Sequence, residues 1–332
     1  MDYDNPLYYL YSMKNVAILV PESAVPAAIV DPRYMFTAVN EFFRSAGHQP
    51  FFNIQLVGMS RTVKLHDGLV VIHPELLLEK SGQMDLVIVP ALSGNMAEAI
   101  HRNRAFVPWI ISQYKQGAEV ASLCVGAFLL ASTGLLNGRT CSTHWLFAND
   151  FRDMFPDVHL VDDKIITEQH GLYSSGGASS YWNLLLYLVE KYTSRQMAIM
   201  ATKFFLLDIG RQSQSPFMMF RGQKEHEDCE ILKAQEFIEK NYQSKWTVEE
   251  LADRFRIGRR TFERRFKKAT SNTVIEYIQR IKIEAAKKQL ESGRKTVNEV
   301  MYDVGYNDNK AFREVFKKIA GMSPQDYRSK FN

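Results

Sequence analysis

A lone cysteine stands among small residues in Ala121-Ser122-Leu123-Cys124-Val125-Gly126-Ala127-Phe128, where a short apolar run gives way to a helical pattern. A sharp strand-to-helix turn there would project the thiol, and a helix N-terminus behind it would favour a thiolate. A small packed side chain is the other common use of such a cysteine. Turnover at such a thiol needs an imidazole nearby as general base. A third group, usually a carboxylate, must orient that imidazole. A Cys–His pair without that third group is a weak constellation for turnover. Ligand capture is the reading favoured here, in a cleft lined by Glu22, Ser93, Gly94, Cys124, His144 and Gly176 and suited to a small amine or carboxylate. The competing readings are a Cys-dependent hydrolase, amidase or aldehyde-processing enzyme, and a redox sensor with an oxidisable thiolate. Cys124, Cys141 and His144 lack a clear fourth ligand, so no metal site and no cofactor is expected.

A second set of residues points to nucleic acid. The phrase Phe262-Glu263-Arg264-Arg265-Phe266-Lys267-Lys268 returns fifty positions later as Phe312-Arg313-Glu314-Val315-Phe316-Lys317-Lys318. Each copy follows an amphipathic segment and a turn containing Gly258 or Gly305, which reads as helix, turn, helix, twice. The Phe pairs at i and i+4 share one helical face and can anchor each second helix in a core. Arg260, Thr261, Glu263, Arg264, Lys267 and Lys268 then point outward in the first copy, and Asn309, Lys310, Arg313, Glu314 and Lys317 in the second. Arg and Lys suit guanine edges or phosphates, Asn an adenine edge and Glu a cytosine amine. Residues 273–291 form a long amphipathic stretch between the copies, and a helix of about nineteen residues would span roughly 28 Å. Two recognition helices could thus lie about one DNA turn apart.

Around these sets, residues 14–20, 85–91 and 119–123 are short apolar runs, each followed by turn residues and a helical pattern. Helices are expected at 34–45, 104–116, 126–132, 143–154 and 178–192, flanking a largely parallel sheet whose carboxyl ends hold the site. The fold expected is α/β, a flavodoxin-like parallel-sheet domain at 12–210, then a polar linker at 211–230 and an all-α domain at 231–332. Its helix-turn-helix units fall at about 247–268 and 297–318. Residues 221–332 carry 25 Lys+Arg against 18 Asp+Glu and residues 1–220 carry 16 against 19, so the positive charge sits with the repeat, as phosphate contacts require. No run is long enough for a membrane span, and Asp2 and Asp4 stand where a signal peptide would be basic. With three cysteines, an odd number, this predicts a cytoplasmic protein without a disulfide framework or membrane partner. Four tyrosines, Tyr3, Tyr8, Tyr9 and Tyr11, crowd the first thirteen residues without an evident purpose.

The last third resembles the AraC/XylS-type DNA-binding domain, through Leu251-Ala252, Arg280-Ile281-Lys282-Ile283-Glu284-Ala285-Ala286, Val304-Gly305-Tyr306 and Gly321-Met322-Ser323-Pro324-Gln325-Asp326-Tyr327-Arg328. Three positions depart from that pattern. Gly258 stands where a Ser cap is usual, Met301 replaces a usual Ala, and the turn Thr270-Ser271-Asn272-Thr273 lacks its glycine, so Asn272 is expected to take the left-handed conformation. The elbow, together with Ala131-Ser132-Thr133-Gly134-Leu135-Leu136-Asn137-Gly138-Arg139, Thr143-His144-Trp145 and Ser174-Ser175-Gly176-Gly177, resembles the PfpI-like branch of the type 1 glutamine amidotransferase-like superfamily. The combination is similar to the GlxA-like transcriptional regulators, as is Arg211-Gln212-Ser213-Gln214-Ser215-Pro216-Phe217. That resemblance implies sequence-specific binding to double-stranded DNA, a small-molecule effector and a homodimer, with RNA polymerase as a further candidate partner. It also implies that Cys124 and His144 are vestigial catalytic residues: Val125 occupies the position of the peptidase-type His, and Ala27 and Ala28 that of the usual acid.

Overall fold

The structure, a computed structural model, describes residues 13–208, 210 and 213–332; Tyr3, Tyr8, Tyr9, Tyr11, Arg211 and Gln212 lie outside the described residues. The chain divides into two compact units, Met1–Gln214 and Ser215–Asn332.

The first unit runs β1 (Lys14–Val20), α1 (Ala27–Ser45), β2 (Phe52–Gly58), β3 (Val63–Leu65), β4 (Val70–Ile72), β5 (Leu76–Leu77), β6 (Leu86–Val89), α2 (Met96–Arg102), α3 (Phe106–Lys115) and β7 (Glu119–Ser122). It continues through α4 (Ala127–Ala131), β8 (Thr140–Cys141), α5 (Ala148–Met154), β9 (His159–Leu160), β10 (Ile166–Gln169), β11 (Leu172–Ser175), α6 (Tyr181–Tyr192) and α7 (Arg195–Phe205). Seven strands form one sheet in the order β10-β11-β7-β6-β1-β2-β5, parallel except for β10 against β11. Val16 to Val20 and all of β6 are buried, because strands covered on both faces must be apolar on both. Helix α1 presents Ala28, Ile29, Met35, Phe36, Val39 and Phe43 at helical spacing to that core, with Phe36 packed 4.7 Å from Phe52. Burying each such aromatic contributes about 2 kcal/mol. The order of strands reverses between β1 and β6, which opens a crevice at their carboxyl ends.

Element starts differ from the sequence expectation where a proline or a side-chain cap intervenes. Helix α1 begins at Ala27 rather than residue 34 and carries Pro32 inside, since tertiary packing of its apolar face outweighs one missing N–H. Residues 143–154 start as a 3₁₀ turn at Trp145–Phe147, capped by the His144 ring, before α5.

The second unit is α8 (Cys229–Lys240), α9 (Val248–Arg254), α10 (Arg259–Thr270), α11 (Val274–Glu291), α12 (Val297–Asp303), α13 (Asn309–Ala320) and α14 (Pro324–Phe331). Phe262 and Phe266 fill one small core with Leu251 and Tyr277, and Phe312 and Phe316 fill another with Val300, Met301 and Leu290. Thr247, Thr273 and Thr296 each close a capping box with a glutamate three residues on, contributing about 1 kcal/mol apiece. Gly258 offers α10 no side-chain cap, whereas Asp308 caps α13 through the Ala311 amide at 2.6 Å.

Three expectations change here. From the sequence Gly305 pairs with Gly258, but the left-handed residue of the first turn is Arg256, at φ 53, which corresponds to Gly305 at φ 79; the second turn is one residue longer. After α10 the left-handed residue is Ser271, at φ 56, and not Asn272, which is buried and spends its side-chain amide on the Thr270 carbonyl at 2.6 Å. Residues from 215 onward, read as linker, are packed into the second unit, because Phe217 and Phe220 find aromatic partners there.

Candidate functional site

Strand β7 ends at Ser122, and the chain turns through Cys124–Gly126 into α4. Cys124 has φ 54, a sparsely populated conformation for a residue with a side chain, and its N–H donates to Ser175 Oγ at 3.0 Å. A sharp elbow is therefore present. Gly126 makes it possible: a Cβ there would lie 2.5 Å from the carbonyl oxygens of both Val89 and Pro90.

Burial opposes ionisation of the thiol at this elbow. Burial pushes the Cys124 thiol up to about 12, against one backbone hydrogen bond from Val125 that acts the other way. Burial thus acts against the thiolate expected from a helix N-terminus, and the helix behind the elbow, α4, has only five residues. His144 Nδ1 accepts from the Leu146 N–H at 3.1 Å, which leaves the proton of the neutral ring on Nε2, and burial pulls its pKa below the usual imidazole value. The ring caps a turn and lies tilted by 37° to the Trp145 ring, with 5.6 Å between centroids.

Of the other residues expected in the cleft, Glu22, Ser93 and Gly94 lie beyond the carboxyl ends of β1 and β6, and Gly176 follows β11. The Glu22 N–H donates to Asn103 Oδ1 at 2.9 Å and its side chain is exposed; Ser93 Oγ donates to the Ser23 carbonyl at 3.0 Å; Gly94 is exposed in the turn before α2. Gly176 is buried against the Gln214 side chain, where a Cβ would lie 2.8 Å from the amide. Gln214 itself is 3% exposed. It donates to the Thr143 carbonyl at 2.9 Å and the Lys164 carbonyl at 3.3 Å, and accepts from the Gly177 N–H at 3.0 Å. Among the described residues no group of three or more His, Cys, Asp or Glu side chains could hold a metal ion.

Two polar residues escaped the sequence reading. Asp31 lies one helical turn beyond Ala27, on the same face of α1, and its Oδ2 accepts from the buried Tyr181 hydroxyl at 2.5 Å. Burial, then the Asp31 carboxylate, then charge at Cys124 hold the Tyr181 phenol protonated far above its usual range. The signal was the i+4 spacing from Ala27, hidden by a helix start set after Pro32.

In the second unit Arg260, Thr261, Glu263, Arg264, Lys267, Lys268, Asn309, Lys310, Arg313 and Lys317 are all exposed on α10 and α13, opposite the buried Phe pairs. Glu263 lies 3.8 Å from Arg259, which also reaches Glu249 at 3.3 Å, and Asn309 donates to Asn298 at 2.9 Å. Such exposed pairs are worth at most about 1 kcal/mol and can be exchanged for contacts to DNA. Arg265 points instead to Asp228, with contacts at 2.9 and 2.6 Å, and ties α10 to the cap of α8.

Residues 16–191, just over half of the chain, match the DJ-1/PfpI family. The chain belongs to that family. Residues 251–330 match a helix-turn-helix domain, here of the AraC type. The chain is similar to the HTH-type transcriptional regulator GbdR of Pseudomonas aeruginosa, at 24% identity over 272 residues, 81% of this chain and 72% of GbdR. It is also similar to the HTH-type transcriptional regulator ArgR of the same species, at 21% identity over 65% of each chain. A ThiJ/PfpI family protein from Pseudomonas syringae aligns over 63% of this chain and 82% of its own, with a TM-score of 0.51 and 17% identity, a likeness of fold.

The DJ-1/PfpI unit thus has a sharp elbow around a buried thiol. With a pKa of about 12, roughly one Cys124 in ten thousand is ionised at pH 8. Iodoacetamide at that pH should therefore label the exposed Cys229 of the native protein and spare the buried Cys124 and Cys141, read by peptide mass spectrometry. Labelling of Cys124 at a rate near that of Cys229 would restore the enzyme and redox readings.

Proposed function

We propose that the protein is a sequence-specific DNA-binding transcriptional regulator whose DJ-1/PfpI unit binds a small metabolite without transforming it. The observation that carries this reading is the pair of equivalent helices α10 and α13, each anchored by two fully buried phenylalanines and each presenting a polar, mostly basic face. The relatives named as HTH-type transcriptional regulators support it. In this reading Arg260, Thr261, Glu263, Arg264, Asn309, Lys310 and Arg313 face base edges, while Lys267, Lys268 and Lys317 neutralise phosphates. The cleft bounded by Glu22, Ser93, Gly94, Cys124, His144 and Gly176 holds the effector, its protonated thiol and neutral imidazole serving as contacts rather than as nucleophile and base. A homodimer would match repeated half-sites, and the units Met1–Gln214 and Ser215–Asn332 would carry the two roles. The cytoplasm is the compartment such a role requires, and RNA polymerase is the partner it implies.

The test is sequencing of genomic fragments retained by the purified full-length chain at about 150 mM salt, where non-specific phosphate binding is weakened. A few enriched sites with a repeated half-site support the reading; uniform retention, or none, removes it. At an enriched site Arg264→Ala should cost roughly 1–3 kcal/mol and relax preference at one base position, whereas Lys317→Ala should weaken all sequences alike and lower the salt slope by about one. Titrations on operator variants separate the two outcomes. An Arg264→Ala protein that discriminates as the parent does would show that the first recognition helix is misplaced.

A further inference from the structure

Six consecutive residues link the candidate cleft to the frame of the DNA-binding unit. Gln214 is the last residue of the first unit and a wall of the cleft: a Cβ on Gly177 would meet Gln214 Oε1 at 3.4 Å and His144 Nε2 at 3.6 Å, so both groups converge on that point. Four residues later the chain is gripped from α11. Lys287 is 3% exposed, ion-paired to Glu284 at 3.2 Å, and its Nζ donates to the Met218 carbonyl, while Glu284 Oε2 accepts from the Phe220 N–H at 3.2 Å. A buried ion pair is stable only when its spare donors and acceptors are filled, and here the backbone of residues 218–220 fills them.

The same stretch bridges the two helix-turn-helix cores. Phe220 packs 5.2 Å from Tyr277 in the first core, and Phe217 packs 5.6 Å from Phe331, which lies against the second, under Lys330. It runs antiparallel to α11 as a second tie between the recognition helices.

We propose that residues 214–220 are a coupling strap: Gln214 is its latch in the effector cleft, Glu284 and Lys287 are its anchor on α11, and release of the latch loosens the brace that sets the spacing of α10 and α13. This assignment rests on the regulator reading. Residues 215–217 form a single 3₁₀ turn in which the Met218 N–H donates to the Ser215 carbonyl at 3.2 Å, so one hydrogen-bonded turn joins the latch to the anchor. An effector that competes for the Gly177 N–H or the Thr143 carbonyl would bind one latch state better than the other, which is what coupling requires.

The test is amide hydrogen exchange on the full-length chain without ligand, comparing the parent with Gln214→Ala and Lys287→Met. Removing the latch should speed exchange at Gly177 and also at Phe220, by about tenfold, the size of one or two lost hydrogen bonds. Reciprocally, Lys287→Met should speed exchange at Phe220 and at Gly177. If each variant speeds exchange only within its own unit, the strap does not couple them and the proposal is overturned. Should Gln214→Ala expose the whole first unit, Lys287→Met read at Gly177 decides alone. The exchange comparison uses no DNA, so a parent chain that retains no genomic sites sinks the regulator reading while the coupling result stands or falls separately.

Discussion

A Gly305→Ala chain should unfold its second unit at a markedly lower temperature and bind its operator more weakly. Gly305 sits at φ 79, where a Cβ costs about 1–2 kcal/mol from local sterics alone. That Cβ would also stand 1.9 Å from the Gln243 carbonyl oxygen and 2.9 Å from Lys282 Nζ, which donates to the Gly305 carbonyl at 3.3 Å. The loop between α8 and α9 must therefore retreat, and with it the buried Lys282 that lies 5.4 Å from the centre of the Tyr306 ring. Together these should remove roughly 3–4 kcal/mol, comparable with overpacking a core on a strained backbone. For a unit of about one hundred residues that lowers its calorimetric transition by roughly 12 °C or more. Gly258→Ala is the matched control: its φ is −58, nothing lies within 4 Å of the added Cβ, and the transition should move by no more than about 2 °C. Equal shifts for the two variants would refute the register proposed between the turns.

Gly126→Ala should destabilise the DJ-1/PfpI unit by about 2–4 kcal/mol and leave the other transition in place. Its Cβ would meet two backbone carbonyl oxygens at 2.5 Å, and backbone at the end of β6 cannot swing aside as a long side chain can. The elbow would have to lift from β6, carrying Cys124 away from Ser175 and opening the cleft. Calorimetry of the full-length chain reads both transitions in one scan, and each must be treated as its own unit, because a single two-state fit does not describe a two-unit chain. A Gly126→Ala protein with both transitions unmoved would mean that the elbow is not packed on β6 as described.

These glycines show how far local patterns reach. Gly126 is recognisable from its neighbours, since a Cys before a glycine at the end of an apolar run announces a turn. Gly305 and Gly258 look equivalent in a repeat of fifty residues, and only the backbone shows that Arg256 occupies the conformation of Gly305. Asp31 and Tyr181 are 150 residues apart, and no spacing rule joins them. Glu284 and Lys287 read as ordinary members of an amphipathic helix until residues 218–220 are laid beside them.

The amino-acid sequence alone determined the α/β class, the parallel core strands, the two helix-turn-helix units, their buried Phe pairs and the exposed basic faces. The buried and exposed helix faces follow from spacings of one to four positions, the class from the alternation of apolar runs with helical patterns, and the paired units from a phrase repeated at fifty, all of which the chain encodes wherever it is placed. The tertiary structure decided that Cys124 is buried, that Asp31 accepts from Tyr181, that Gln214 packs against Gly176 and Gly177, and that residues from 215 pack with the second unit. Those outcomes depend on desolvation and on hydrogen-bond partners supplied by distant segments, and both come into being only when the chain has folded.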